Sequence, residues 1–429
     1  MSKFQIGLLV VFGVFIAIGV AFFALSKGGG GQTTSNVVIW GTMSRGVFSQ
    51  SFSKLPISKD DTFKVSYVEK PAESFDEDLL EALASGGGPD LIVISQDLII
   101  KYRNKIFPIP YQTISERDFK SSFVEEAEMF LMSDGIVALP LTIDPLVMYW
   151  NRDIFTNAGI STPPLYWDEF FDLTKKLTIR AGALNLERST VAMGEFSNIQ
   201  NAKEILTTLI FQAGNPIVEW QYNKFVSTLS DRRGEPISPA NSALTFYTEF
   251  SNPTKAFYSW NRSLPDAQTS FVAGDLAVYF GFASELDYVR RKNPNLNFDV
   301  SIMPQSRNSG RNTTFGQLYG LAIIKNSKNI AGAYQIARAL TTRESVAAFV
   351  ENLKLPPPRR DLLAELPSDQ FLSVFYKSAL WARGWHDPDP EETEVLFREM
   401  IESITGGRVR QEQAIADTHG RINLLLEGK

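Results

Sequence analysis

The feature that most constrains the fold is a long apolar stretch with an acidic residue inside it. Residues 136–143 read IVALPLTI, Asp144 follows, and residues 146–150 read LVMYW. Runs of this kind, without regular polar alternation, are typical of strands buried on both faces. A short helix that stops at Gly159 comes next, and Trp167 begins another helix. The sequence therefore predicts a buried strand that carries a carboxylate at its end.

The region before this stretch has the order of a layered α/β protein. Residues 36–40 and 63–68 read as strands, residues 75–84 have the apolar spacing of a helix, and residues 90–95 read as a third strand. Strand, helix and strand in this order imply parallel pairing, and hence an α/β fold class.

Composition excludes several classes of function. The chain has 429 residues, which is enough for two or more domains, and its net charge of −6 gives no electrostatic footprint for nucleic acid. It has no cysteine, which excludes disulfides, thiol nucleophiles and thiolate metal sites. No phosphate-binding loop, nucleophile elbow or zinc motif occurs. We therefore predict no metal, no cofactor and no catalytic residue.

The N-terminus predicts a membrane anchor. Residues 6–25 contain no charge and have about the length that spans a bilayer as a helix. Lys3 lies before this run, so the positive-inside rule assigns residues 1–5 to the cytoplasm and the globular part to the outside. Residues 26–35, with four successive glycines, read as a flexible tether. The alternative is a cleaved signal peptide with Ala24-Leu25-Ser26 at the cleavage site.

Residues 135–170 resemble the hallmark segment of the extracellular solute-binding proteins, family 1, of ABC importers, which include maltose-binding protein. Further blocks are similar to that family in order and spacing, at residues 271–280, 298–304, 321–328 and 405–408. The resemblance implies a two-lobed periplasmic-binding-protein-like fold with an interlobe ligand cleft, preceded here by the transmembrane helix.

The same resemblance implies where the lobes begin and end. The N-terminal lobe would comprise residues 36–143 and 299–343, and the C-terminal lobe residues 144–298 and 344–429. The chain would cross between the lobes near residues 141–144, near residues 298–304 and at the helix around Arg343. Lobes joined in this way can close around a ligand by a hinge motion.

Ligand contacts are expected at strand ends facing the cleft. Asp144 stands where the family places an acidic contact, and a carboxylate can accept hydrogen bonds from sugar hydroxyls; a hinge-stabilising role is the alternative. Asp97 and Glu195 match acidic positions of the maltose-type members, with a helix cap and a solvated loop as their alternatives. The candidates for ligand contact are Trp40, Thr42, Ser44, Arg45, Asp97, Asp144, Glu195, Trp260, Phe282, Tyr319, Trp381 and Trp385.

Aromatic residues bear on the carbohydrate question, because sugar C–H faces stack on rings. For any single aromatic residue in this set, a place in the core is the better expectation. The family's Gly-Pro-Trp is replaced by residues 281–284 (GFAS), and Glu394 lies near the place of a C-terminal stacking tryptophan. We therefore expect a carbohydrate other than maltose, a polyol phosphate or a non-sugar solute.

Three hypotheses of function follow. The first is a monomeric, membrane-anchored solute-binding protein outside the cytoplasm, which delivers its solute, a sugar by expectation, to ABC permease subunits. The second is a surface receptor or adhesin-like binder that reuses the fold without transport. The third is a glycan-active enzyme with converging carboxylates. The chain has two histidines, His386 and His419, and no recognisable catalytic motif, so we expect no enzymatic activity.

Overall fold

The computed structural model of the chain describes residues 34–182, 185–307 and 310–427. The expected membrane anchor at residues 6–25 and nearly all of the tether lie outside these residues. Within the described ranges, no helix is both long enough and apolar enough to cross a bilayer.

The strands form one large mixed sheet and two small hairpin-like sheets. They are β1 (Ser35–Gly41), β2 (Phe63–Glu69), β3 (Leu91–Ser95), β4 (Ile106–Phe107), β5 (Leu131–Met132), β6 (Gly135–Ile136), β7 (Leu139–Asn151), β8 (Ile179–Arg180), β9 (Leu186–Val191), β10 (Val218–Gln221), β11 (Lys224–Ser227), β12 (Leu276–Phe282), β13 (Phe298–Ser301), β14 (Thr314–Ile324) and β15 (Ala382–Arg383).

The α-helices cover the sheet. They are α1 (Arg45–Ser53), α2 (Phe75–Ser85), α3 (Ile99–Tyr102), α4 (Glu116–Ser122), α5 (Arg152–Asn157), α6 (Phe170–Leu177), α7 (Ala202–Gln212), α8 (Pro239–Glu249), α9 (Ala267–Ala273), α10 (Leu286–Lys292), α11 (Ile330–Leu340), α12 (Arg343–Leu353), α13 (Arg360–Leu363), α14 (Gln370–Trp381), α15 (Pro390–Thr405) and α16 (Gln411–Leu426).

The large sheet has the strand order β2-β1-β3-β14-β7-β12-β9-β8, with β4 and β15 on β14 and with β13 on β7. β1 pairs in parallel with both β2 and β3, which confirms the parallel order predicted for the first three strands. β14 then runs antiparallel to β3 and to β7. The α/β class is confirmed, and the sheet continues from one half of the molecule into the other.

A single long strand, β7, joins two hydrophobic cores. Its first half, up to Pro145, pairs with β14, and its second half, from Leu146, pairs with β12 and β13. Ile143 belongs to the core of the N-terminal half of the protein, and Leu146 belongs to the core of the C-terminal half. The boundary between the cores therefore falls at Asp144 and Pro145.

The second crossing between the cores lies in β14 rather than at residues 298–304. β13 pairs only with the second half of β7, and Val300 packs in the C-terminal core together with Phe315. Leu318, three residues further along β14, packs in the N-terminal core. The chain crosses again after α12, between Phe349 and Leu355. The remaining limits of the lobes stay predictions.

Candidate functional site

Asp144 lies at the point where β7 passes from one core to the other, and it is 6% exposed. Its Oδ1 accepts a hydrogen bond from the backbone N–H of Ser284 at 3.0 Å. Burial raises the pKa of Asp144 to about 7, the hydrogen bonds from Ser284 oppose this rise, and the charge of Glu285 adds to it. This carboxyl group is thus poised between its protonated and ionised forms near neutral pH.

Gln317 connects Asp97 to the part of β7 that carries Asp144. It lies opposite Asp144 in the register between β14 and β7. Its side-chain amide donates to Asp97 Oδ2 at 3.2 Å, and the Ser95 hydroxyl donates to the other oxygen of the same carboxylate. Tyr319 follows two positions along β14. Its burial raises the pKa of its phenol, and the charges of Asp144 and Asp97 add to this rise.

The loop that presents the Ser284 amide is held by Glu285. This carboxylate accepts hydrogen bonds from the Tyr279 hydroxyl at 2.5 Å and from the backbone N–H of Phe282 at 2.8 Å. The Phe282 ring lies 6.1 Å from the Phe315 ring, edge to face. The end of β12 is therefore fixed beside β14, next to Asp144 and within the C-terminal half of the protein.

A buried ion pair lies beyond Asp97. Lys203 Nζ lies 2.8 Å from Asp387 Oδ2 and 2.7 Å from the Thr393 hydroxyl, and the Lys203 and Asp387 side chains are 8% and 1% exposed. The ammonium group also lies 5.5 Å from the centroid of the Trp385 ring. This pair fixes the segment that follows α14 against the first turn of α7.

Three further carboxyl groups surround this ion pair. Burial raises the pKa of Asp97, Glu204 and Glu394, and the Lys203 charge opposes the rise in each case. For Glu204 the pKa reaches about 7, because the charges of Glu394 and Asp97 add to the effect of burial. The junction of the two halves therefore collects carboxyl groups whose ionised forms burial disfavours and Lys203 stabilises in part.

The candidates at the end of β1 lie beside β3, the strand that precedes Asp97. Trp40 packs under Lys70, whose Nζ lies 4.1 Å from the ring centroid. The Ser44 hydroxyl caps α1 by accepting from Val47 N–H, and the Arg45 N–H donates to a Glu69 carboxylate oxygen. Thr42, like Ser44 and Arg45, is exposed. These contacts are local, and none of them reaches Asp97 or Asp144.

Three other candidates lie apart from the junction. Glu195 pairs with Arg262 at 3.0 Å in the C-terminal half. Trp260 is 0% exposed in the C-terminal core, where its indole N–H donates to Asn198 Oδ1 at 3.1 Å. This ring is therefore part of the core, so we leave Trp260 out of the proposed site. Trp381 is half-buried at the end of α14.

Sequence reasoning missed the residues that connect the candidates. Gln317, Lys203 and Asp387 carry no motif, and their partners lie 220, 184 and 184 residues away along the chain. A weak signal existed for Asp387, because it begins an acidic run, residues 387–392, that extends into the first turn of α15. No group of three or more His, Asp or Glu residues is placed to hold a metal ion in the described part of the chain.

Comparison with known proteins identifies the family. The model of the bacterial extracellular solute-binding proteins matches residues 59–347, and the chain belongs to this family. A protein of Brucella abortus (strain 2308) that is named only as a binding protein is 22% identical over 366 residues, which cover 80% of this chain and 81% of the relative. The resemblance of the sequence to the extracellular solute-binding proteins of ABC importers is confirmed.

Solved structures of low sequence identity have the same fold. A cyclo/maltodextrin-binding protein complexed with maltotetraose has a TM-score of 0.74 at 17% identity, over 94% of this chain and 99% of that chain. The sugar-binding protein MalE of Xanthomonas citri has a TM-score of 0.74 at 18% identity, over 91% and 97%. An ABC transporter solute-binding protein of Thermotoga lettingae, bound with α-D-tagatose, has a TM-score of 0.68 at 17% identity, over 91% and 100%. The two-lobed α/β fold is therefore established.

Proposed function

We propose that this protein binds a small solute, a carbohydrate, between its two lobes and delivers it to an ABC permease from an anchored position outside the cytoplasm. The observation that carries the proposal is the chain of contacts from Ser284 through Asp144 to Gln317 and Asp97, at the strands that join the two cores. A ligand held there touches both lobes and favours their closure.

The chemistry of the junction suits a polyhydroxylated solute. Asp97, Asp144, Glu204 and Glu394 offer carboxyl oxygens, and ionised carboxylates are strong acceptors for hydroxyl groups. Phe282 and Tyr319 supply partly buried rings nearby, against which the C–H faces of a sugar can pack. Trp385 is 5% exposed and packs in the C-terminal core, so its ring is left out. Structural neighbours whose names state maltotetraose and α-D-tagatose support a sugar as the first class to test.

A thermal-shift screen of the full chain in detergent tests the proposal directly. Maltotetraose, α-D-tagatose, other oligosaccharides, polyols, sugar phosphates and peptides are compared. A ligand present at a thousand times its Kd stabilises the folded state by about 4 kcal/mol. We expect one sugar class to raise the melting temperature, and we expect Asp144→Asn to abolish the rise.

A matched control separates the junction from the rest of the fold. Glu195→Gln removes a carboxylate of similar burial that lies in the C-terminal half and pairs with Arg262. We expect this variant to keep the thermal shift. A screen without any shift, or a shift lost equally in both variants, contradicts the proposed site.

The anchored location has its own test. Membrane fractionation of cells that express the full chain should place the protein in the membrane pellet, and protease added outside should degrade its globular part. Release of the intact globular part into the extracytoplasmic fluid would instead support a cleaved signal peptide at Ala24-Leu25-Ser26. Association with the permease is tested by the solute-dependent ATPase activity of permease subunits reconstituted with the full chain.

A further inference from the structure

A buried carboxylic acid lies under the junction and takes no part in the proposed solute contacts. Glu126 belongs to a 3₁₀ turn, Glu125–Phe130, and the residue is 2% exposed. Neither of its carboxyl oxygens has a hydrogen-bond partner of good geometry among the described residues. An ionised carboxylate in such a place is strongly disfavoured, because burial removes the water that stabilises its charge.

Glu126 faces a part of the chain that passes between the two cores. Ala382 packs in the N-terminal core and Trp385 packs in the C-terminal core, so the chain crosses at Gly384. A Cβ atom on Gly384 would lie 2.5 Å from Glu126 Oε1 and 3.0 Å from Gln96 Nε2. The acid of one lobe therefore packs directly against the backbone of a crossing segment.

The same cluster holds the β14 crossing. The Gln96 side chain donates to Gly316 O at 3.1 Å and accepts from Leu318 N–H at 2.5 Å, on either side of Gln317. A Cβ atom on Gly316 would lie 2.5 Å from the Cβ atom of Ala382. Because both crossings pass within contact of this cluster, a change in the angle between the lobes alters the packing around Glu126.

The other charged groups near Glu126 do not neutralise it. Arg383 pairs instead with Glu125 at 2.5 Å, and Lys120 pairs with Glu116 and Glu128 on the surface. His386 approaches from the crossing segment, with Nε2 at 3.0 Å from Met129 O, and burial lowers its pKa to about 4, so it is neutral.

We propose that Glu126 links lobe closure to a proton: the lobes come together as this carboxyl group takes up a proton, and they separate as it loses it. Burial raises the pKa of Glu126 to about 8, and the Arg383 charge and the nearby Gly384 amide offset this rise only in part. Separation of the lobes that lets water reach the carboxyl group returns its pKa toward the ordinary value of 4.5.

Linkage then fixes the direction of the pH effect. The arrangement with Glu126 buried binds the proton more tightly, so it is favoured at low pH and loses its advantage as pH rises toward 8. Between the two pKa values, the closure equilibrium constant falls by up to about tenfold for each pH unit. Solute release at the membrane would be favoured on the alkaline side; this consequence alone rests on the proposed function.

Interlobe distance in the solute-free protein tests the link. The chain has no cysteine, so Lys59→Cys and Thr254→Cys, at exposed sites in the two halves, place one dye pair for single-molecule energy transfer. We expect a rise from pH 6 to pH 9 to move the full chain in detergent toward longer distances. Glu126→Gln should remove the part of this response between pH 7.5 and pH 9, where Asp144 and Glu204 are already mostly ionised. Glu128→Gln, in the same turn but paired with Lys120, should keep that part.

A second variant, Glu126→Leu, is tested in case Glu126→Gln folds poorly. The leucine removes the charge and adds no buried polar group. A pH response that persists in both Glu126 variants, or a parent protein that does not respond, overturns the proposal. Because no solute is added, the outcome is independent of the solute screen. If no solute raises the melting temperature but the interlobe distance still depends on pH, the proposed function is contradicted and the proton link stands.

Discussion

Gln317 lies opposite Asp144 in the pairing of β14 with β7, and its amide donates to Asp97 at 3.2 Å. Asp144 marks the end of the N-terminal core on β7, and Gln317 lies between Phe315 and Leu318, which belong to different cores. One amide side chain thus holds an acid of the β3 end beside the strand pair that joins the lobes. Gln317 therefore connects these two acids at the place where the lobes join.

Gln317→Leu should weaken solute binding without unfolding the protein. The amide hydrogen bond that orients Asp97 is lost, and a hydrogen bond of this kind contributes about 1.5 kcal/mol, or roughly tenfold in Kd. Titration calorimetry with the sugar that gives the largest thermal shift measures the effect. Gln413→Leu, which removes an exposed amide that donates to Asp417 on α16, is the control and should leave Kd unchanged.

Lys203→Met should destabilise the fold by about 3–5 kcal/mol, because it leaves the fully buried Asp387 without its cation. Urea unfolding measures the loss. Lys203→Met combined with Asp387→Leu should recover much of it, since no buried charge then remains. Lys175→Met removes an exposed surface pair with Asp172 and should leave stability unchanged. Equal losses in the single and double variants would contradict a buried, coupled pair.

The stability contributed by two buried carboxyl groups should fall as pH rises from 4 to 7. The folded-state pKa values of Asp144 and Glu204, both about 7, exceed their ordinary values of 3.8 and 4.5. In that interval the folded state keeps protons that the unfolded state has lost, so each group reduces stability by up to about 1.4 kcal/mol per pH unit. The contribution is full below pH 4 and is lost by pH 7. Asp144→Asn should flatten the slope in urea unfolding between pH 4 and pH 7; an unchanged slope would show that Asp144 is hydrated.

The sequence predicted the regular parts of the fold well. The apolar runs of β1 and β3 and the helical apolar spacing of α2 are local signals, and the observed elements agree within about two residues. The β10–β11 hairpin was missed because Tyr222 and Asn223, with φ of 51° and 67°, occupy turn positions that Asn-Gly or Gly-Gly usually signal.

The candidate site was predicted only where a residue ends a strand. Asp97 and Asp144 follow that rule, and the fold brings them together through Gln317. The Lys203–Asp387 pair joins residues 184 positions apart, so its existence depends on tertiary packing that no local pattern encodes. The second crossing was placed at residues 298–304 because that strand resembled a hinge, whereas pairing with β7 commits it to the C-terminal core.

Trp260→Phe should lower stability and leave solute affinity unchanged. Trp260 is fully buried, and its loss leaves a small cavity and deprives Asn198 Oδ1 of a donor, which together cost about 2–4 kcal/mol. Urea unfolding and titration calorimetry on the same preparation separate the two effects. Leu206→Ala, another fully buried change in the same core, matches the stability loss without touching an aromatic ring. If Trp260→Phe weakens binding while Leu206→Ala does not, Trp260 contacts the solute in the closed protein and belongs in the site after all.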